Sequence, residues 1–62
     1  MTFWIKDDLG YFAKKGLRQA SVWKDGRRWA WRIFREDGSI ACAARSRSLE
    51  DAQDNAAQML GR

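Results

Sequence analysis

Three arginines in the middle of the chain are the residues whose type and spacing could do chemistry. Arg28, Arg32 and Arg45 belong to segments that alternate apolar and polar residues, so on pleated strands their side chains share one face. A guanidinium group donates paired hydrogen bonds to phosphate oxygens and to the edge of guanine. Trp23 falls on the same predicted face and could stack on a base or shape the contact with a groove. These four residues predict a nucleic-acid-binding surface, with duplex DNA as the expected partner.

The same residues also have a purely structural interpretation. Long arginine side chains can lie across aromatic rings on a solvated sheet face and shield those rings from water. Solvated faces of antiparallel sheets are usually charged, and that pattern favours the structural interpretation. Both interpretations stay open, because they depend on whether residues 1–19 cover this face.

Catalysis and metal binding are not expected, because the side chains that support them are missing or badly placed. The chain has no histidine and one cysteine, so it lacks a Ser-His pair, a Cys-His pair and a set of zinc ligands. Asp7 and Asp8, like Glu36 and Asp37, adjoin predicted turns, where aspartate is common for its hydrogen bonding. Cys42 is expected to be a reduced, buried thiol on the core face. We therefore expect no enzyme activity, no cofactor and no metal.

Length and charge limit the class of protein. A chain of 62 residues predicts one small domain with a thin margin of stability. The net charge of +4 is uneven, with a basic centre from 27 to 47 and an acidic stretch from 48 onward. A basic centre attracts polyanions, although such charge is also common for solubility. No basic leader precedes an apolar run, and no apolar stretch approaches the roughly 20 residues of a membrane helix, so a cytoplasmic protein without membrane contact is expected.

Two Asp-Gly pairs predict the elements that position the arginines. Asp25-Gly26 and Asp37-Gly38 separate alternating segments, and Asp-Gly is a strong signal for the type I′ turn of a two-residue hairpin loop. Loops at these two places predict a meander over 20–45, with three antiparallel strands at Ala20–Lys24, Arg27–Arg35 and Ser39–Arg45.

This arrangement also predicts a register and two faces. Trp29 falls opposite Val22, and Ile33 falls opposite Cys42. Alternate residues then share the core face, and the remainder share a basic and aromatic face with the arginines. The predicted core-face residues are Ala20, Val22, Trp29, Trp31, Ile33, Ile40, Cys42 and Ala44.

A helix is predicted over 48–60. Ser48 is a good N-cap residue, and Asp51 three positions later approximates a capping box. Gly61 suits the position after the last turn. Apolar residues recur at helical spacing and form one stripe that would pack on the core face. They are Leu49, Ala52, Ala56, Met59 and Leu60.

Residues 1–19 are too apolar for a free tail. Thr2–Lys6 is expected to be a strand, and Leu9–Lys15 a second strand or a short helical turn. This segment could fold over the arginine-bearing face or lie alongside the sheet edge. The expected fold class is α+β: one domain over 1–62, with an antiparallel meander of three or more strands and a C-terminal helix packed on one face.

The stretch from Trp23 to Leu60 resembles the small bacterial YegP-like domains. The matching motifs are short: Trp23-Lys24-Asp25, the run Trp-Ala-Trp-Arg-Ile from 29 to 33, and the run Asp-Gly-Ser-Ile-Ala from 37 to 41. Ser48 then opens a helix that contains Ala52. The resemblance implies a meander capped by a helix, and it transfers no activity. A weaker, architectural likeness links the chain to the arm-binding domains of phage integrases and to plant ethylene-response domains, which insert the sheet face opposite their helix into the DNA major groove.

Two functions follow as hypotheses. The first is a small non-enzymatic module that binds nucleic acid through Arg28, Arg32, Arg45 and Trp23. The alternative is a protein-interaction module or homodimer, of the kind found in phages and mobile elements. Its interface would use aromatic residues on the same face together with the N-terminal segment.

Overall fold

The computed structural model describes residues 2–61 as an antiparallel sheet followed by one helix. Along the sheet the strands keep their chain order, so every connection is a hairpin between neighbours. The helix packs on one face, mainly on the third and fourth strands. The α+β meander predicted from the sequence is confirmed. Its elements are β1 (Ile5–Lys6), β2 (Gly10–Lys15), β3 (Arg18–Asp25), β4 (Arg28–Phe34), β5 (Ile40–Ser46) and α1 (Leu49–Leu60).

The N-terminal segment lies alongside the sheet rather than over the arginine-bearing face. β2 pairs with β3 along its whole length, from Gly10 opposite Trp23 to Lys15 opposite Arg18. β1 adds a short edge strand beside β2. Within residues 2–61, no helix or strand crosses the face opposite α1, so that face stays open.

No helix within this part of the chain is both long enough and apolar enough to span a bilayer.

The β3–β4 hairpin turns one residue later than the sequence suggested. The pair that closes it is Asp25 and Arg28, so the loop is Gly26-Arg27. Gly26 has a φ of 62°, whereas Arg27 keeps a negative φ. A loop with a positive φ at its first position alone is a type II′ turn. In this turn only Gly26 has to adopt a positive φ. The expected type I′ loop would have forced Asp25 into the left-handed region as well.

This change of turn moves the register by two positions. The expected pairing of Trp29 with Val22 is wrong: Trp29 pairs with Lys24, and Trp31 takes the place opposite Val22. Because side chains alternate with a period of two, an even shift leaves each one on its expected face.

The β4–β5 hairpin uses a three-residue loop. The Arg35 N–H donates to the Ser39 carbonyl at 2.8 Å, and the Gly38 N–H donates to the Arg35 carbonyl at 2.9 Å. Gly38 has a φ of 88°, as expected for the left-handed residue that ends such a loop. Ser39 donates from its hydroxyl and its N–H to the Asp37 carboxylate, and these bonds lower the pKa of Asp37.

A bulge after this loop changes the face of one residue. The predicted pairing of Ile33 with Cys42 is confirmed, but the next pair is Phe34 with Ile40, so Ala41 is the extra residue. Ile40 is therefore beside Phe34 and 46% exposed, and its predicted place on the core face is wrong. Ala41 packs against the core instead.

The core lies between α1 and the centre of the sheet. Ile33 is fully buried, and small residues let the helix approach closely. Cys42 is a free thiol that is half-buried rather than buried, and Ala44 is exposed although it pairs with buried Trp31. Both belong to β5, an edge strand that contacts α1 less than β3 and β4 do. The buried core residues are Ala13, Ala20, Val22, Trp31, Ile33, Ala52, Ala56 and Leu60.

The two ends of α1 are capped differently. Ser48 is the N-cap, and its hydroxyl accepts the Asp51 N–H at 3.1 Å, as the sequence predicted.

At the C-terminal end, Gly61 has a φ of −78°, so it does not adopt the left-handed conformation of a glycine C′ cap. Cations from the β2–β3 hairpin hold the last carbonyls instead. Arg18 donates to the carbonyls of Leu60 and Met59 at 3.2 and 3.4 Å, and Lys15 donates to the Gly61 carbonyl at 3.3 Å.

Candidate nucleic-acid interface

The strand register brings the four predicted site residues onto one open face. Arg28 and Arg32 are on β4, Trp23 is on β3, and Arg45 is on β5 opposite Ala30. We call the sheet surface opposite α1 the arginine face. Its aromatic and charged members are Phe12, Lys14, Trp23, Asp25, Arg28, Arg32, Phe34 and Arg45.

Arg32 and Trp23 form a cation–π pair at the centre of this face. The guanidinium carbon of Arg32 lies 5.1 Å from the centroid of the Trp23 ring. Such a contact contributes about 0.5–1 kcal/mol at an exposed site. The contact is the shielding arrangement expected from the structural interpretation. The contact also fixes the position of the Arg32 guanidinium. Because Arg32 is exposed, its N–H groups can still reach an anion.

Arg45 is partly engaged by a residue that the sequence did not single out. Its Nε lies 3.0 Å from Oδ2 of Asp25, and the two side chains are 66% and 44% exposed. An exposed ion pair of this kind contributes about 0–1 kcal/mol, so a phosphate could replace Asp25 at low cost. Asp25 was missed because the expected turn put it in the loop, whereas the observed turn makes it the last residue of β3.

Arg28 is the least engaged of the three arginines. It is exposed, and its side chain has no hydrogen bond, ion pair or ring contact with any residue in the range 2–61. Its side chain is therefore available to a ligand without the loss of an internal contact.

A groove of about 490 Å³ lies in the arginine face next to the cation–π pair of Arg32 and Trp23. Ser21 pairs with Arg32 across the strands, and its small side chain leaves a low point between two aromatic residues. This groove was not predicted from the sequence. The available signal was a serine two positions before Trp23 on the same face. The residues around the groove include Leu9, Gly10, Ser21, Trp23, Arg32 and Phe34.

The helix and the arginine face carry side-chain charges of opposite sign. The helix contains three acidic residues, all exposed, and none of the twelve basic residues of the chain. Its side-chain charge is thus −3, whereas four basic residues and one acidic residue give the arginine face a charge of +3. The acidic residues are Glu50, Asp51 and Asp54.

The described residues, 2–61, contain no cluster of three or more His, Cys, Asp or Glu side chains that could hold a metal ion. The resemblance to YegP-like domains and the architectural likeness to integrase arm-binding domains stay predictions. Comparison of the chain with protein-family models, with curated proteins and with solved structures finds no match.

Proposed function

We propose that this protein is a small, non-enzymatic binding module that holds nucleic acid against its arginine face. The observation that carries the proposal is the separation of charge: three arginines are on an open sheet face, and the acidic residues of the helix are on the other side. A polyanion approaching this molecule is attracted to the arginine face and repelled by the acidic side chains of the helix. A cytoplasmic setting belongs to the same proposal.

Each arginine has its own role in this contact. Arg28 is unengaged and can reach a phosphate directly. Arg32 is held over Trp23, so it loses little side-chain freedom when it binds. Arg45 can exchange its exposed pairing with Asp25 for a phosphate oxygen.

The test is a fluorescence-anisotropy titration of labelled duplex and single-stranded DNA at low and at physiological salt. Wild type should bind, and its affinity should fall steeply with salt, because each phosphate contact releases condensed counterions. The variant with Arg28→Ala and Arg32→Ala should bind more weakly and reduce the salt slope by about 2 on duplex.

The Lys6→Ala variant is the control, because Lys6 pairs with Tyr11 on the helix side of the sheet. It should keep the wild-type slope, and circular dichroism should show that all variants fold. No binding even at low salt, or equal slopes in all three proteins, would exclude the proposal.

A protein-interaction module or homodimer, of the phage or mobile-element type, is the second candidate. Exposed apolar side chains of the N-terminal segment favour it: Phe3 is 79% exposed, Ile5 55% and Leu9 85%. Exposed groups of this kind mark interfaces when they are contiguous. Sedimentation velocity separates the two candidates, because a stable dimer would sediment with twice the chain mass of 7.2 kDa.

A further inference from the structure

The groove over Ser21 has a shape and a chemistry that phosphate binding does not require. Its volume of about 490 Å³ falls within the roughly 300–1,000 Å³ typical of small-molecule sites. A flat row of arginines would bind a sugar-phosphate backbone equally well without a concavity.

Two aromatic residues stand on either side of Ser21 along the strands. Trp23 is two positions further on β3, and Phe34 pairs with Gln19, two positions back. At about 3.3 Å per residue, the two side chains are rooted about 13 Å apart along the strand direction. A single flat ring fits between such walls and can stack on the Phe34 ring or against the Arg32 guanidinium over Trp23.

Polar groups at the groove can also recognise a ring. Ser21 is half-buried, and its hydroxyl has no hydrogen-bond partner in the described part of the chain. A hydroxyl both donates and accepts, which suits the mixed edge of a nucleobase. Arg32, opposite Ser21, adds N–H donors for a carbonyl or a ring nitrogen.

We propose that this groove binds one unpaired nucleobase of a single-stranded nucleic acid, while the flanking arginines hold the adjacent phosphates. The inference rests on the proposed function and deepens it, since it assigns the type of strand. Bases within a duplex are stacked and paired, so they cannot enter a groove between two aromatic side chains. The positive charge of Arg28 and Arg32 suits a ring that carries phosphates better than a neutral aromatic ligand.

The experiment compares two labelled strands of about 12 nucleotides, one with bases and one abasic throughout, so that both carry the same phosphates. Wild type should bind the base-containing strand about tenfold more tightly, because each stacked base adds favourable free energy. Ser21→Leu fills the floor of the groove and should remove this preference. Phe34→Leu removes one wall and should reduce the preference as well.

Ala43→Leu is the matched control. It adds the same bulk on the arginine face, on the other side of Arg32, and does not line this groove. It should keep the wild-type preference, and thermal unfolding followed by circular dichroism should confirm that each variant is folded.

The outcomes separate the two proposals. Equal binding of the two strands by wild type, or a preference that survives both Ser21→Leu and Phe34→Leu, would overturn the groove assignment and leave phosphate binding by the arginine face intact. Absence of binding to either strand at low salt would remove both proposals.

Discussion

At the scale of single residues, close packing of β2 on β3 requires a missing side chain. Gly10 pairs with Trp23, and a Cβ at Gly10 would collide with the Val22 carbonyl oxygen and lie 2.9 Å from the Trp23 Cα. Backbone atoms cannot move aside as a flexible side chain can. Any larger residue would therefore push the two strands apart.

We predict that Gly10→Ala lowers the free energy of unfolding by about 1–3 kcal/mol, the usual cost of forcing an extra group into a packed site. Urea denaturation followed by tryptophan fluorescence measures this loss.

Gly61→Ala is the control for that substitution. The nearest atom to its Cβ would be 3.5 Å away, in ordinary contact, and its φ is already right-handed. It should be neutral or stabilise the protein by about 0.4–1 kcal/mol. A Gly10→Ala variant as stable as Gly61→Ala would show that β2 can move freely.

At the scale of elements, alternation and helical spacing were sufficient to predict the fold, but not the register of its strands. Asp25-Gly26 predicted a turn, but two different two-residue loops are compatible with this pair. The loop can be Asp25-Gly26 or Gly26-Arg27. The observed loop is Gly26-Arg27, in which only Gly26 needs a positive φ. No comparable sequence signal marks the bulge that exposes Ile40. The bulge follows the three-residue loop closed by Arg35 and Ser39, and it leaves Ala41 of β5 without a partner in β4.

In the candidate site, too, the face of each residue could be predicted and its neighbours across the strands could not. That Arg28 and Arg32 share one face was predictable, because an even shift in register does not change faces. Their neighbours were not: the expected register would have put Arg28 opposite Trp23, whereas the observed one puts Arg32 opposite Ser21. Both the cation–π pair and the groove depend on that shift of two.

The link between the β2–β3 hairpin and α1 gives a prediction at this scale. Arg18 donates to the Leu60 and Met59 carbonyls, where a cation also favours the negative end of the helix dipole. Arg18→Met should keep the side-chain packing but lower the free energy of unfolding by about 1–2 kcal/mol, as measured by thermal unfolding.

The companion variant is Lys14→Met, which makes the same change of charge in β2 on the opposite face. It should cost far less than Arg18→Met. Equal losses in the two variants would mean that charge in general matters, rather than this cap.

At the scale of the whole molecule, the two charged sides are separated by a thin body. The principal extents are 30 × 21 × 20 Å, and electrostatic screening in physiological salt acts over about 8 Å. The acidic helix can therefore influence a ligand on the arginine face at low salt and hardly at all in the cell.

The corresponding prediction concerns Glu50→Gln combined with Asp54→Asn. At about 0.15 M salt the affinity for DNA should change by less than about twofold, whereas at about 0.01 M, where the screening length is near 30 Å, it should rise clearly. Anisotropy titrations at the two salt concentrations check this. A large gain at physiological salt would place the nucleic acid against the helix rather than the arginine face.

The order of the strands has a consequence for how the chain acquires its structure. Each strand pairs only with its neighbours in sequence, so the hairpins close short loops and can form early and quickly. The helix is different: Arg18 and Lys15 meet its last carbonyls 42 and 46 positions further along. A growing chain would thus hold a nearly complete sheet whose apolar side stays open until residues 49–61 have followed. Synthesis interrupted before that point would release a sheet with an exposed apolar face. Such a sheet is prone to aggregate and is not a smaller version of the fold.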